Sequence, residues 1–107
     1  MDDAAAELHF AVTVDTDAIP PLVSASGELD AASSSDLARC IDQALSIGSG
    51  IVLDLGDVTF IDSSALRVVT LGIRKANDED QTFTVSSASE AVRRIFEITG
   101  VSSILAS

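Results

Sequence analysis

The sequence is short of nearly every residue that carries covalent or redox chemistry. Its 107 residues include one cysteine, Cys40, and one histidine, His9. A lone cysteine excludes an intramolecular disulfide and a multi-cysteine metal site, and a lone histidine leaves no imidazole pair for zinc. His9 lies in an alternating apolar segment and reads as an exposed strand residue. A Ser-His-Asp triad is therefore poorly met. Trp and Tyr are absent, and the aromatics are Phe10, Phe60, Phe83 and Phe96. Stacking platforms for nucleic-acid bases are nearly missing. Basic residues are scarce as well: six against seventeen acids, a net charge of −11. Such a chain repels phosphate backbones and anionic lipid surfaces, so neither direct nucleic-acid binding nor membrane insertion is expected. No apolar run approaches the roughly 20 residues of a membrane span. The acidic start, Met1-Asp2-Asp3, lacks a signal-peptide pattern, and a cytoplasmic location is expected. Neither a phosphate-binding loop nor a dinucleotide fingerprint occurs. No catalytic residue, cofactor site or metal site is expected, and the chain does not read as an enzyme.

What is present is the composition of one globular domain. Hydrophobic residues make up 47% of the chain, which is enough to build a core. Residues 1–7 are polar and alanine-rich and read as a flexible N-terminus. Residues 8–107 read as a single domain. Charge is unevenly spread. Residues 1–62 hold twelve acids and one base, Arg39, whereas residues 63–107 hold five of each. An acidic half suits solubility, and it also suits a partner with a basic face.

Residues 8–14 alternate apolar and polar side chains, as a half-buried strand does. Asp15, Asp17, Pro20 and Pro21 mark a turn. Residues 22–29 read as a second strand ending at Gly27, antiparallel to the first because the connection is short. Leu37, Cys40, Ile41, Ala44 and Leu45 then fall on one helical stripe, with Ser33, Ser34 and Ser35 as candidate N-caps and Gly48 as the stop. Cys40 on that stripe reads as a small buried hydrophobe. Residues 51–55 form an apolar run ended by Gly56-Asp57, which suits a central strand covered on both faces. A second helix is expected over 64–77, mostly buried, with Arg67, Thr70 and Arg74 facing water. Residues 82–86 alternate as a strand. Ser87 and Glu90 have capping-box spacing before a third helix through Val92, Ile95, Phe96 and Thr99, with Gly100 as its stop. Residues 101–105 are a possible short final strand. The order ββαβαβα predicts an α/β fold: a mixed sheet with an N-terminal hairpin, later strands parallel, packed with helices.

One stretch combines an apolar strand, a polar turn and a helix: Phe60-Ile61-Asp62-Ser63-Ser64-Ala65-Leu66. Asp62 or Ser63 is expected to cap the second helix. A seryl hydroxyl exposed there also sits where free N–H groups and the macrodipole favour a phosphate.

Residues 51–66 resemble the signature of STAS domains, in particular bacterial anti-sigma factor antagonists. Gly27-Glu28-Leu29-Asp30 is similar to the family's G-E-L-D after its second strand. Asp62-Ser63-Ser64 is similar to its D-S-S or D-S-T, and residues 92–101 to its closing helix, V-x-x-x-F-x-x-x-G. The resemblance spans nearly the whole chain. It departs at Ala65, where the family usually has Gly. It implies that Ser63 is the phosphorylation site of a partner kinase that is itself the anti-sigma factor. It implies further that the unphosphorylated form binds that kinase and frees the sigma factor, and that a serine phosphatase restores that form. The partner-binding surface it implies comprises Gly27, Glu28, Asp30, Asp62, Ser64, Ala65, Leu66 and Arg67. Two other readings stay open: a non-phosphorylated STAS scaffold subunit of a membrane-transport or stress-signalling complex, and a small-ligand-binding STAS domain. The absent phosphate loop and the net charge oppose the second of these.

Overall fold

A computed structural model describes residues 10–100. Its elements are β1 (Phe10–Asp15), β2 (Leu22–Leu29), α1 (Ala31–Leu45), β3 (Ile51–Ile61), α2 (Ser63–Asp78), β4 (Phe83–Ala88) and α3 (Glu90–Thr99). The strands form one sheet in the order β1-β2-β3-β4. β1 and β2 are antiparallel, whereas β2–β3 and β3–β4 are parallel. The expected mixed sheet with an N-terminal hairpin is the observed one. His9, residues 1–7 and the final strand expected over 101–105 lie outside the described residues.

The sheet buries one face. Val23, Ala25 and Leu29 of β2, Ile51, Leu53, Leu55, Val58 and Ile61 of β3, and Val85 of β4 are all buried. They join Leu37, Cys40, Ile41, Ala44 and Leu45 of α1, Ala65, Val69 and Ala76 of α2, and Val92 and Phe96 of α3 in one cluster. The α1 stripe and the buried Cys40 are therefore as the periodicity predicts. β3 is interior in the sheet but not covered on both faces. Val52 and Asp54, which alternate with its buried residues, are only half-buried.

β3 also runs straight through Gly56-Asp57, which the sequence reading takes as its end. The reason is a bulge: Ser24 pairs with Asp54 and Ser26 with Asp57, so β3 spends one residue more than β2. The Asp54 carboxylate accepts the Gly56 N–H at 2.9 Å and holds the kink. A Cβ at Gly56 would collide with the Ser87 hydroxyl. A second shift after Gly27, itself at φ +82°, brings Glu28 opposite Phe60 and Leu29 opposite Ile61. The two bulges thus set which residues of β2 and β3 finish side by side.

Two helix caps and the burial of one helix differ from expectation. α1 starts at Ala31, capped by Asp30, and Ser33 lies inside its first turn. α3 is capped by Ser89, whose hydroxyl accepts the Val92 N–H, and not by Ser87, which β4 retains. α2 is less buried than its apolar content suggests. Ala65, Val69, Gly72 and Ala76 form one buried stripe, Leu66, Val68 and Ile73 are half-buried, and Leu71 is exposed. The close approach of α1 explains this stripe of small residues: a Cβ at Gly72 would press on Ile41 at 3.0 Å and Phe83 at 3.1 Å. Gly100 closes α3 in the left-handed region, φ +83°, as expected of a helix stop.

Candidate functional site

Two strands end side by side, and each turns into a helix through one aspartate. Leu29 of β2 is followed by Asp30, and Ile61 of β3 by Asp62. The Asp62 N–H donates to the Leu29 carbonyl at 3.0 Å, so the ladder between β2 and β3 continues into the second turn. Asp30 and Asp62 consequently stand at the same edge of the sheet, the end where sites form in open α/β folds.

At the first turn Asp30 Oδ1 accepts the N–H groups of Ala32 (3.0 Å) and Ser33 (3.2 Å). The Asp30 N–H donates to Ser33 Oγ at 2.8 Å, and Ser33 Oγ donates to the Glu28 carbonyl at 3.0 Å. Ser33 is fully buried. This is a reciprocal capping box in which every partner is satisfied. The spacing Asp-x-x-Ser was its signal in the sequence, hidden by the run of three serines.

At the second turn Asp62, not Ser63, is the cap. Its Oδ1 accepts the Ser64 N–H at 2.9 Å and the Ala65 N–H at 3.1 Å. The Asp62 carbonyl takes the Leu66 N–H at 3.0 Å. The first-turn amides that a phosphate was expected to find free are therefore taken by Asp62, apart from that of Ser63. The third helical residue, Ala65, is fully buried and its methyl faces the core. Ser63 is exposed, and its hydroxyl makes no hydrogen bond among the described residues.

Glu28 is exposed, Gly27, Asp30, Asp62 and Ser64 are half-buried, and Arg67 is exposed one turn beyond Ser63. Along α2, Ser63, Leu66, Arg67, Thr70, Leu71 and Arg74 line a shallow groove of about 400 Å³. Leu71 and Arg74 extend this face beyond the residues named from the motif. The cue in the sequence was the i, i+4, i+7, i+11 recurrence of Ser63, Arg67, Thr70 and Arg74 on one helical face. No group of three potential metal ligands occurs among the described residues. Among the described residues no helix is long and apolar enough to cross a membrane.

The family model described as Mlab, STAS domain, matches residues 12–106. The chain belongs to the STAS-domain family. Solved structures of similar fold include antagonists of anti-sigma factors. One from Mycobacterium paratuberculosis is 26% identical, with a TM-score of 0.77 over 90% of this chain and 82% of that one. SpoIIAA in its unphosphorylated form is 20% identical, with a TM-score of 0.77 over 90% of this chain and 86% of that one. The phosphorylated form of SpoIIAA from Bacillus is 19% identical, with a TM-score of 0.74 over 90% and 89%. These likenesses fit the four-stranded mixed sheet and its three helices.

Proposed function

We propose that the chain is an anti-sigma factor antagonist and acts as a cytoplasmic binding module. While Ser63 is unmodified it binds an anti-sigma factor that is also a serine kinase, and so releases the sigma factor. The observation that carries this reading is the exposed Ser63 hydroxyl, unbonded among the described residues, beside the Asp62 cap at the sheet edge it shares with Asp30. In the switching step Ser63 Oγ bonds to the γ-phosphorus of ATP held by the kinase. The bond to ADP breaks, and the hydroxyl proton leaves to the kinase. A serine phosphatase reverses the modification by hydrolysis. The chain itself supplies only the hydroxyl and the surface around it: Gly27, Glu28 and Asp30 from the first turn, Asp62 and Ser64 from the second, and Leu66 and Arg67 from α2. Ala65 contributes by packing the start of α2, because its side chain points inward.

The test is capture of partners from the native cytoplasm, followed by incubation of the captured kinase with ATP and mapping of the phosphate by mass spectrometry. Phosphate on Ser63 is the expected result. Phosphate confined to Ser33, Ser34, Ser35 or residues 86–89 rejects the assignment. A second reading fits the family match equally, since that match names a STAS domain and no antagonist: a STAS scaffold subunit of a membrane-transport or stress-signalling complex, not phosphorylated. In that case the same capture returns a stable complex with no kinase activity toward Ser63.

A further inference from the structure

Resting on the reading of Ser63 as a phosphoacceptor, we infer that Arg67 is the intramolecular counter-ion of the phosphate on Ser63. At this position the helix start leaves a phosphate no amide but that of Ser63, fewer than helix starts usually offer an anion. Asp62 Oδ1 already occupies the amides of Ser64 and Ala65, and the Asp62 carbonyl occupies that of Leu66. The Asp62 carboxylate is also a like charge beside the phosphate. A dianion there needs a cation.

Arg67 is placed to supply it. Residues i and i+4 on a helix are neighbours, about 5–6 Å apart at Cβ. Ser63 and Arg67 line the same groove, and both are exposed. Among the described residues Arg39, Lys75 and Arg94 pair with carboxylates, whereas Arg67 pairs with none. A guanidinium also matches phosphate oxygens with two parallel donors. Arg74 lines the same groove seven residues further on, about 10 Å along the axis, beyond direct contact. The consequence is chemical. A phosphoserine titrates near pH 6, and a paired cation lowers that value. Arg67 thereby raises the dianion's share near neutral pH from about nine-tenths to about 95% and offsets part of its charge by contact.

The experiment installs phosphoserine at position 63 of the full chain by genetic encoding, so no kinase is needed. Phosphorus NMR then follows the phosphate through its second ionisation. Its midpoint is expected to be lower in the wild type than in Arg67→Gln by about 0.3 of a pH unit. Arg67→Lys should keep part of the difference. Arg74→Gln, which changes the net charge equally, should match the wild type. Identical midpoints in wild type and Arg67→Gln overturn the pairing. So does an Arg74→Gln shift as large as that of Arg67→Gln, which would mean diffuse charge rather than contact. The titration is independent of any partner, so failure of kinase binding rejects the proposed function without bearing on this pair.

Discussion

The two strand-to-helix turns use one device and finish it differently. Each ends a parallel strand, places an aspartate at the N-cap and buries the third residue of the helix. At the first turn that residue is Ser33, whose hydroxyl returns to the cap N–H and then to the Glu28 carbonyl. At the second it is Ala65, and the cap N–H goes instead to the Leu29 carbonyl of the neighbouring strand. The first turn closes on itself, and the second leans on the first. The first helical residue differs in the same sense. Ala31 brings no polar group to its turn, whereas Ser63 presents an exposed hydroxyl that the local structure does not use. A cap satisfied within the fold leaves nothing for a partner to change, and a spare hydroxyl at a rigid edge does.

The contrast can be broken most sharply through partner affinity. Ser63→Asp, or phosphate on Ser63, is expected to lower affinity for the kinase at least a hundredfold. A charge that must be desolvated at a packed interface costs several kcal/mol, and each 1.4 kcal/mol is about tenfold. The paired measurement is Tm, which should stay within a few degrees, because the residue is exposed. Retained affinity would remove Ser63 from the interface, and a collapse of Tm would make its role structural.

The next effect runs in the opposite sense, on stability. Ser33→Ala strips the cap N–H of Asp30 of its acceptor and should cost about 1–2 kcal/mol in urea unfolding. Ser63→Ala should cost less than about 0.5 kcal/mol. Comparable losses in the two variants would erase the distinction between a closed and an open turn. Asp30→Ala and Asp62→Ala should each cost about 1 kcal/mol, since both carboxylates hold two amides. Binding data on either variant therefore need a stability measurement beside them.

A smaller effect is kinetic. If the acidic segment carrying the first turn steers a basic partner, the association rate should fall as salt rises from low to physiological concentration. A flat rate would leave the acidic residues a role in solubility only. The smallest effect concerns Cys40 on the buried stripe of α1. Burial pushes its thiol above the ordinary value near 9.0, with the Arg39 charge opposing. The unfolded thiol ionises first, so the stability tied to the buried proton is complete below that value and is lost as pH climbs toward the folded one. Wild type should therefore lose more stability above about pH 9 than Cys40→Ala does, as read by unfolding at successive pH values.

Much of the architecture is legible in the chain, because the change from period two to period 3.6 is strong at each strand-helix junction. The cap positions are harder to read for a local reason. Asp30, Ser33, Ser34 and Ser35 are all competent caps, as are Ser87 and Ser89, and local sequence ranks them equally. Burial of Ser33 and the length of β4 choose among them. Gly56 reads as a strand end, since a glycine there signals a break as readily as a bulge. Only the pairing with β2 separates the two. The Asp-Ser-Ser turn is visible as a motif. Its proximity to Asp30, thirty-two residues away, is not, because it depends on two bulges that each add one residue to β3 and so move the pairing offset from thirty residues to thirty-two.

The hydrogen bond from Asp62 to Leu29 has a consequence for how such a surface can change over generations. It fixes the gauge between the two turns at the spacing of paired strands, about 4.8 Å, a length set by main-chain atoms common to every sequence. Side chains around the turns can be exchanged for new partners without resetting that gauge. A recognition surface built this way can diversify its readers while its ruler stays constant.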